Sequence, residues 1–333
     1  MKTYSCKEQP FCVFGVPNFE KTKNFIRFPE GIFPEGSGLS EYGRRTPGAR
    51  VGFKTDAERF TVRISVKELR VDKGMSMFAC QSIAVMVGER ERATFCGLVC
   101  PDDYSQTAYE KEFVKSGKME EITLWLPRNE HINDVEIILP DNAKIEPPTP
   151  YKHGKALYYG SSITEGGCCC NVTNNYVALL SRWLDLDFYN FGFSGSARGE
   201  LEMADIINSL DISIFIYDYD HNAPTVEHLA ATHEPFFKRI REKHPTMPVL
   251  MLTRPNFRES ADGAARREVV RRTYENAISS GDENVYFIDG ESFFAGCDAT
   301  LCTVDTTHPN DLGFYRMATK IRPTIEKMLE KVN

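Results

Sequence analysis

Four prolines crowd the stretch from residue 140 to residue 150, at Pro140, Pro147, Pro148 and Pro150, and the periodicity of the chain changes across them. Proline lacks a backbone donor and holds φ near −65°, so such a stretch neither joins a sheet interior nor continues a helix. It reads as a stiff connector. A chain of 333 residues is longer than one ordinary domain requires. Two units are therefore expected, residues 1–145 and residues 150–333.

Before the connector the pattern is that of strands. Phe60-Thr-Val-Arg-Ile-Ser-Val66 alternates apolar and polar positions, as a half-buried strand does. Gln81–Val87, Glu121–Leu126 and Val135–Leu139 carry β-branched or aromatic residues in similar runs. Turn residues separate them at Lys73-Gly74, Lys115-Ser-Gly117 and Pro127-Arg-Asn129. Many short antiparallel strands without intervening helices imply an all-β sandwich or jelly roll.

After Tyr151 strands and helices alternate. Short apolar strands are expected at Lys155–Tyr159, Phe188–Phe191, Ile212–Tyr217, Val249–Leu252 and Val285–Ile288. Between them, Tyr176, Leu179, Leu180, Trp183 and Leu184 share helical spacing, as do Leu201, Ala204, Ile207 and Leu210. A further helix is expected to begin at Pro235 and reach about Lys243, since proline suits a first helical position. Val269, Val270, Thr273, Tyr274, Ala277 and Ile278 form another stripe, and a last helix runs from about Asn310, disturbed at Pro323. This alternation implies a parallel sheet covered on both faces, with ligands bound beyond the carboxyl ends of its strands.

Four segments with chemistry fall at those ends. Gly160-Ser161-Ser162-Ile163-Thr164 follows the first strand and opens a helix, where free N–H groups and the dipole favour a developing anion. Helix capping is the other use of serines in such a turn. In Asn190-Phe-Gly-Phe-Ser-Gly195 the Gly195 N–H can point into a site, or the glycines can serve a plain turn. In Asp218-Tyr-Asp-His-Asn222, Asn222 offers an amide donor suited to an oxyanion, or an Asx turn. His221 beside it is a possible base or a solvated loop histidine. In Asp305-Thr-Thr-His308 the carboxylate can fold back onto Nδ1–H and leave Nε2 as a base. Arg254, just past the fourth strand, is placed to line a pocket or to serve as an ordinary ion-paired arginine. Arg44, Arg45 and Arg50 are candidates to reach across from the first unit.

Composition narrows the partners. The net charge of −7 gives no electrostatic footprint for nucleic acid or an anionic membrane. No run of about 18 apolar residues is present, and Met1–Pro10 has no apolar core of a secretory signal. Ten cysteines lack paired zinc spacings, and the consecutive Cys168, Cys169 and Cys170 suit a reducing compartment. A cytoplasmic protein with small buried thiols is expected; a redox or metal role for the cysteine run is the alternative. Gly-x-Ser-x-Gly, the nucleophile elbow of α/β-hydrolases, fails at Gly192-Phe-Ser-Gly-Ser196.

Taken together and in order, the four segments resemble the signature blocks of the SGNH (GDSL) hydrolases. The resemblance covers about Lys155 to Val332. It implies a flavodoxin-like three-layer α/β/α domain with five parallel strands, and a serine esterase acting through Ser162, His308 and Asp305. Its oxyanion hole would comprise Ser162 N–H, Gly195 and Asn222, with no cofactor and no metal. The β-rich first unit resembles the jelly-roll domain that precedes such domains in some bacterial acetylesterases. That implies a short acyl ester, preferably an acetylated carbohydrate, as substrate. A lipid or thioester acyl substrate, and an inactive carbohydrate-binding protein, are the alternatives. The sequence departs from the family where Gly-Asp-Ser reads Gly160-Ser161-Ser162, which leaves Ser161 and Ser162 both open, and where the usual Gly-x-Asn-Asp reads Asp220-His221-Asn222-Ala223.

Overall fold

The computed structural model describes residues 1–72, 74–255 and 261–332. Lys73, half of one expected turn, lies outside the described residues. In the N-terminal region the strands are β1 (Lys2–Ser5), β2 (Cys12–Phe14), β3 (Arg50–Thr55), β4 (Arg59–Val66), β5 (Ile83–Val87), β6 (Thr94–Val99), β7 (Ala108–Val114), β8 (Glu120–Trp125), β9 (Ile132–Leu139) and β10 (Ile145–Glu146). They form two antiparallel sheets, ordered β1-β9-β4-β7 and β10-β3-β8-β5-β6, with β2 added beside β3. The inward residues Phe60, Val62 and Ile64 of β4 meet Val51, Phe53, Val85, Ile122 and Leu124 in one apolar core. Among the described residues short α-helices interrupt the strands, contrary to an uninterrupted β pattern: α1 (Phe19–Thr22), α2 (Gly38–Gly43) and α3 (Met77–Cys80), with a 3₁₀ turn at Arg90–Arg92. Ser37 and Ser76 cap two of them by accepting from Ser40 N–H and Phe78 N–H.

The C-terminal region contains β11 (His153–Gly160), β12 (Leu186–Gly192), β13 (Ile214–Asp218), β14 (Val249–Leu252) and β15 (Val285–Ile288). All are parallel, in the order β12-β11-β13-β14-β15. This is the flavodoxin-like order, and its switch point lies between β11 and its two neighbours. Around the sheet lie α4 (Ser162–Glu165), α5 (Tyr176–Leu184), α6 (Leu201–Asn208), α7 (Val226–Lys243), α8 (Gly263–Ser279) and α9 (Asp311–Glu330). One apolar cluster packs α5 and α9 on one face, and another packs α6, α7 and α8 on the opposite face.

Two helix expectations are corrected. Pro235 does not start a helix; α7 begins nine residues earlier, where Thr225 accepts from His228 N–H, and carries Pro235 inside it. An internal proline costs about 3 kcal/mol. Burial of Leu229, His233, Phe236, Phe237 and Ile240 along the same face offsets it. Likewise α9 runs unbroken through Pro323. No helix among the described residues is long and apolar enough to cross a membrane.

The two regions share a buried seam. Ala84, Met86 and Trp125 of the sandwich belong to the same apolar cluster as Tyr158, Phe188 and Phe314. Arg50 pairs with Asp187 at 2.6 Å, both buried, and its guanidinium lies over Phe188 at 4.0 Å. Arg90 reaches Asp185 at 2.8 Å and also pairs with Glu121. Even the proline-rich connector is tied down, for Thr149 N–H donates to Glu121 Oε2 at 2.9 Å.

Candidate active site

The carboxyl ends of β11, β12 and β13 are stitched side by side. Phe193 N–H donates to Gly160 O at 2.8 Å, and Ser161 N–H donates to Asp218 O at 3.2 Å. Gly192 lets α4 press onto β12, because a Cβ there would collide with the backbone of Glu165. Buried Asn190 completes the stitch, donating to Thr164 O at 2.8 Å and accepting from Gly192 N–H at 2.8 Å.

Within the serine pair the hydroxyls have different partners. Ser161 is the N-cap of α4 and its Oγ accepts from Ile163 N–H at 3.1 Å. Ser162 Oγ lies 2.9 Å from His308 Nε2. The nearby α9 begins at Asp311, with Asn310 as cap. The loop before it is closed by a bridge between Thr303 and Pro309 and by Val304 N–H donating to His308 O at 3.0 Å. Thr306 adopts φ 67°, which curls the loop tightly. Asp305 thereby folds back, with Oδ2 2.7 Å from His308 Nδ1 and Oδ1 accepting from His308 N–H at 2.7 Å. Partial burial opposes ionisation of Asp305, but these bonds from His308 and one from Thr307 outweigh it and hold the carboxyl below its usual range. Acid, imidazole and hydroxyl are thus in hydrogen-bond contact across 146 residues of sequence.

Gly195 has φ +66°, a region that suits glycine, and open space where a Cβ would stand. No acceptor among the described residues takes its N–H. Asn222 Nδ2 donates to Phe193 O at 3.0 Å, so the asparagine holds the loop of Gly195 and keeps a second amide proton. Arg254 is buried, and its backbone N–H donates to Asp220 Oδ2 at 3.1 Å.

The residues between them bond mainly to one another and to the strand ends, although Asp218 Oδ1 and His221 Nε2 are buried without a hydrogen-bond partner among the described residues. Burial, reinforced by the Asp220 charge, pushes the Asp218 carboxyl well above its ordinary range; Thr164 and Tyr176 hydroxyls bond it at 3.0 and 3.3 Å. Burial also opposes ionisation of Asp220, but His221 and Arg254 overcome it and the carboxyl lies below its usual range. His221 turns to Asp220, with its Nδ1 3.5 Å from Oδ1, whereas the imidazole at Ser162 is that of His308. Ligand atoms of Asp218, Asp220 and His221 lie within 4.8 Å of one another, the spacing of a metal group among the described residues, yet each carboxylate already has protein donors. Cys168, Cys169 and Cys170 do not join such a group, and all ten cysteines are free thiols. Burial pushes Cys168 up to about 11.

From the N-terminal region, Arg44, Arg45 and Arg50 are not the arginines that reach the strand ends. Arg44 pairs with exposed Glu30, Arg45 lies over Tyr42, and Arg50 serves the seam. Arg27 and Arg128 reach instead. Arg27 Nη1 donates to Asn190 O at 3.0 Å and Gly192 O at 2.5 Å, with its guanidinium 4.0 Å over Phe193. Arg128 Nη1 lies 3.6 Å from buried Glu165. Nothing in the spacing of these residues singles them out; their only sign in sequence is a charge inside an otherwise apolar or turn segment.

Residues 154–326 match the GDSL-like lipase/acylhydrolase family. The chain belongs to that family. It is an ester hydrolase of the GDSL/SGNH type. Residues 4–145 match the N-terminal part of SGNH hydrolase-type esterases. No curated protein matches this GDSL-family chain. Among solved structures it is similar to a protein described as a GDSL-like lipase from Bacteroides ovatus ATCC 8483, at TM-score 0.86 and 24% identity, over 99% of this chain and 98% of that one. It is also similar to a salicylyl-acyltransferase from a tetracycline biosynthetic pathway, at TM-score 0.78 and 19% identity, over 100% and 99% of the two chains. A family two carbohydrate esterase from Clostridium thermocellum, solved with cellohexaose, aligns at TM-score 0.62 and 15% identity, over 86% and 94%. At these identities the likeness is one of fold, sandwich and parallel sheet together.

Proposed function

We propose that this GDSL-family hydrolase cleaves short acyl esters, acetyl esters of carbohydrates foremost, with Ser162 as nucleophile, His308 as general base and Asp305 as its orienting acid. The observation that carries this reading is the continuous relay of 2.9 Å and 2.7 Å from Ser162 Oγ through His308 to Asp305. His308 Nε2 takes the Ser162 proton as Oγ attacks the ester carbonyl. The tetrahedral oxyanion is met by N–H groups of Ser162 and Gly195 and by the free amide proton of Asn222. His308 returns the proton to the leaving alcohol, and water then repeats the sequence on the acyl-serine. Ser161 is given the capping part instead, since its hydroxyl accepts from Ile163 N–H at the start of α4 while that of Ser162 meets His308. Arg254 is tied to the site by its backbone N–H, which donates to Asp220, and its side chain is kept as the candidate for orienting a polar substrate.

The carbohydrate preference rests on the sandwich-plus-sheet architecture, which the solved carbohydrate esterase shares. The division of labour, residues 1–145 as frame and 150–333 as the reacting unit, belongs to the same proposal. The test is a panel of aryl acetate, acetylated xylo-oligosaccharide and long-chain aryl ester, run on the native protein and on Ser162→Ala. Acetate release that falls to residual levels in the variant is the expected result. Faster turnover of the long-chain ester than of either acetate would overturn the substrate class.

A further inference from the structure

Glu165 stands three residues after Ser162, in the same turn of α4, with a fully buried side chain. Its Oε2 accepts from Ser194 N–H at 3.2 Å. That N–H belongs to the peptide unit joining Phe193 to Ser194. The carbonyl at the other pole of the same unit accepts from Asn222 Nδ2 at 3.0 Å and from Ser196 N–H at 2.9 Å. The unit is therefore gripped at both ends. The next peptide unit has its carbonyl, Ser194 O, held by Ser196 Oγ at 3.2 Å, which leaves the Gly195 N–H as its one open pole. Behind Glu165, Arg128 supplies the compensating charge at 3.6 Å from the sandwich side. It is itself backed by Cys80 Sγ at 3.2 Å and Met75 Sδ at 2.6 Å. A buried carboxylate without such a partner would be costly.

We infer that Glu165, neutralised by Arg128 of the N-terminal region, is a positioning residue that aims the Gly195 N–H at the developing oxyanion. It does so by tying the turn of the nucleophile to the loop of the donor, so that the two move as one piece. This rests on the proposed function, since it assigns Gly195 to the oxyanion. The N-terminal region thereby becomes part of the catalytic geometry without touching substrate.

Two kinds of variant separate reach from charge. Glu165→Asp keeps the charge for Arg128 but withdraws the acceptor by one methylene. In an Arg128→Met background, Glu165→Gln keeps the acceptor without charge, and Glu165→Leu removes both. With an aryl acetate, Glu165→Asp and the Leu double variant should lose about 10- to 100-fold in kcat with KM within about threefold, while the Gln double variant stays within about threefold of native kcat. Equal kcat for native protein and Glu165→Asp, or a loss carried by KM, would overturn the inference. A purely structural role would lower melting temperature without this split between Asp and Gln. Ser162→Ala in the same assay distinguishes the two levels: if it retains native turnover, the proposed function itself fails. If it is inactive while all Glu165 variants match the native protein, only the positioning role fails.

Discussion

The sandwich and the parallel sheet bury their strands differently, and the difference shows where they meet. In β4 the inward residues are buried and their neighbours are half-buried, the signature of one wet face. In β12 and β13 every residue is buried, because helices or the sandwich cover both faces. β8 belongs to the sandwich yet follows the second pattern, with five of its six residues buried. Its outer face is the seam, where Trp125 stacks near Phe188 with centroids 6.2 Å apart. A sandwich strand that has lost its wet face is thus a docked strand. Charged side chains on this seam include Arg50, Glu121 and Arg128, whereas the main core of the sandwich is an apolar cluster around Phe53, Phe60 and Leu124. On the proposed function, the parallel sheet carries the reacting groups, and the sandwich holds them by charge and hydrogen bonds.

The largest effect should separate activity from stability within the C-terminal region alone. Asp305 is half exposed and makes its bonds to its own loop, so Asp305→Asn should leave the melting temperature nearly unchanged. It should lower kcat by about 10⁴-fold, because an amide NH2 donating to Nδ1 holds the imidazole in the wrong tautomer. Steady-state kinetics with thermal unfolding checks both halves. A variant that keeps kcat but melts early would reverse the roles given to the two regions.

At the seam the opposite result is expected. Asp187→Ala leaves Arg50 buried and unpaired and should cost about 3–5 kcal/mol of stability. The seam pair is far from the Ser162 relay in the fold, at the opposite, amino-terminal end of β12, so kcat of the folded fraction should change little. Denaturant melts and active-site-normalised turnover measure the two quantities. A loss below about 1 kcal/mol would mean that the regions are not held as one body by this contact.

A smaller effect tests whether the two regions unfold together. Burial pushes Glu130 in the sandwich up to about 7, so between pH 4.5 and 7 the folded chain holds a proton the unfolded chain has released. Its contribution makes stability fall as pH rises through that window. Burial pushes His233, beneath the parallel sheet, down to about 3. Between pH 3 and 6.5 the unfolded chain binds the extra proton, so this contribution makes stability rise with pH. Each slope is at most about 1.4 kcal/mol per pH unit. In a single cooperative transition the two oppose one another from pH 4.5 to 6.5, and Glu130→Gln should leave the rising slope of His233 exposed. Two calorimetric transitions that move in opposite directions over that range would show independent units.

What the sequence revealed follows the same division. The parallel strands were legible because each is short, apolar and followed by a turn, and the loop from Asp305 to His308 because its partners are three residues apart. Pro235 misled, since its local preference for a first helical position is overridden by the packing of Leu229, Phe236 and Ile240. The proposed preference for Ser162 over Ser161 draws on the cap at Ile163, which no sequence pattern displays. Arg27, Arg128 and Glu165 left no pattern, because their contacts join residues far apart in the chain. Arg44, Arg45 and Arg50 look equivalent in sequence and are sorted only by what each finds on the folded surface.

The central claim is that the Ser162 hydroxyl, activated by His308, is the reacting group. Treatment with a fluorophosphonate followed by peptide mass spectrometry tests it most directly. One phosphonyl adduct on Ser162, retained in Ser161→Ala and strongly slowed in His308→Ala, is the predicted result. An adduct on Ser161, or an unlabelled protein that still hydrolyses aryl acetate at the native rate, would contradict it.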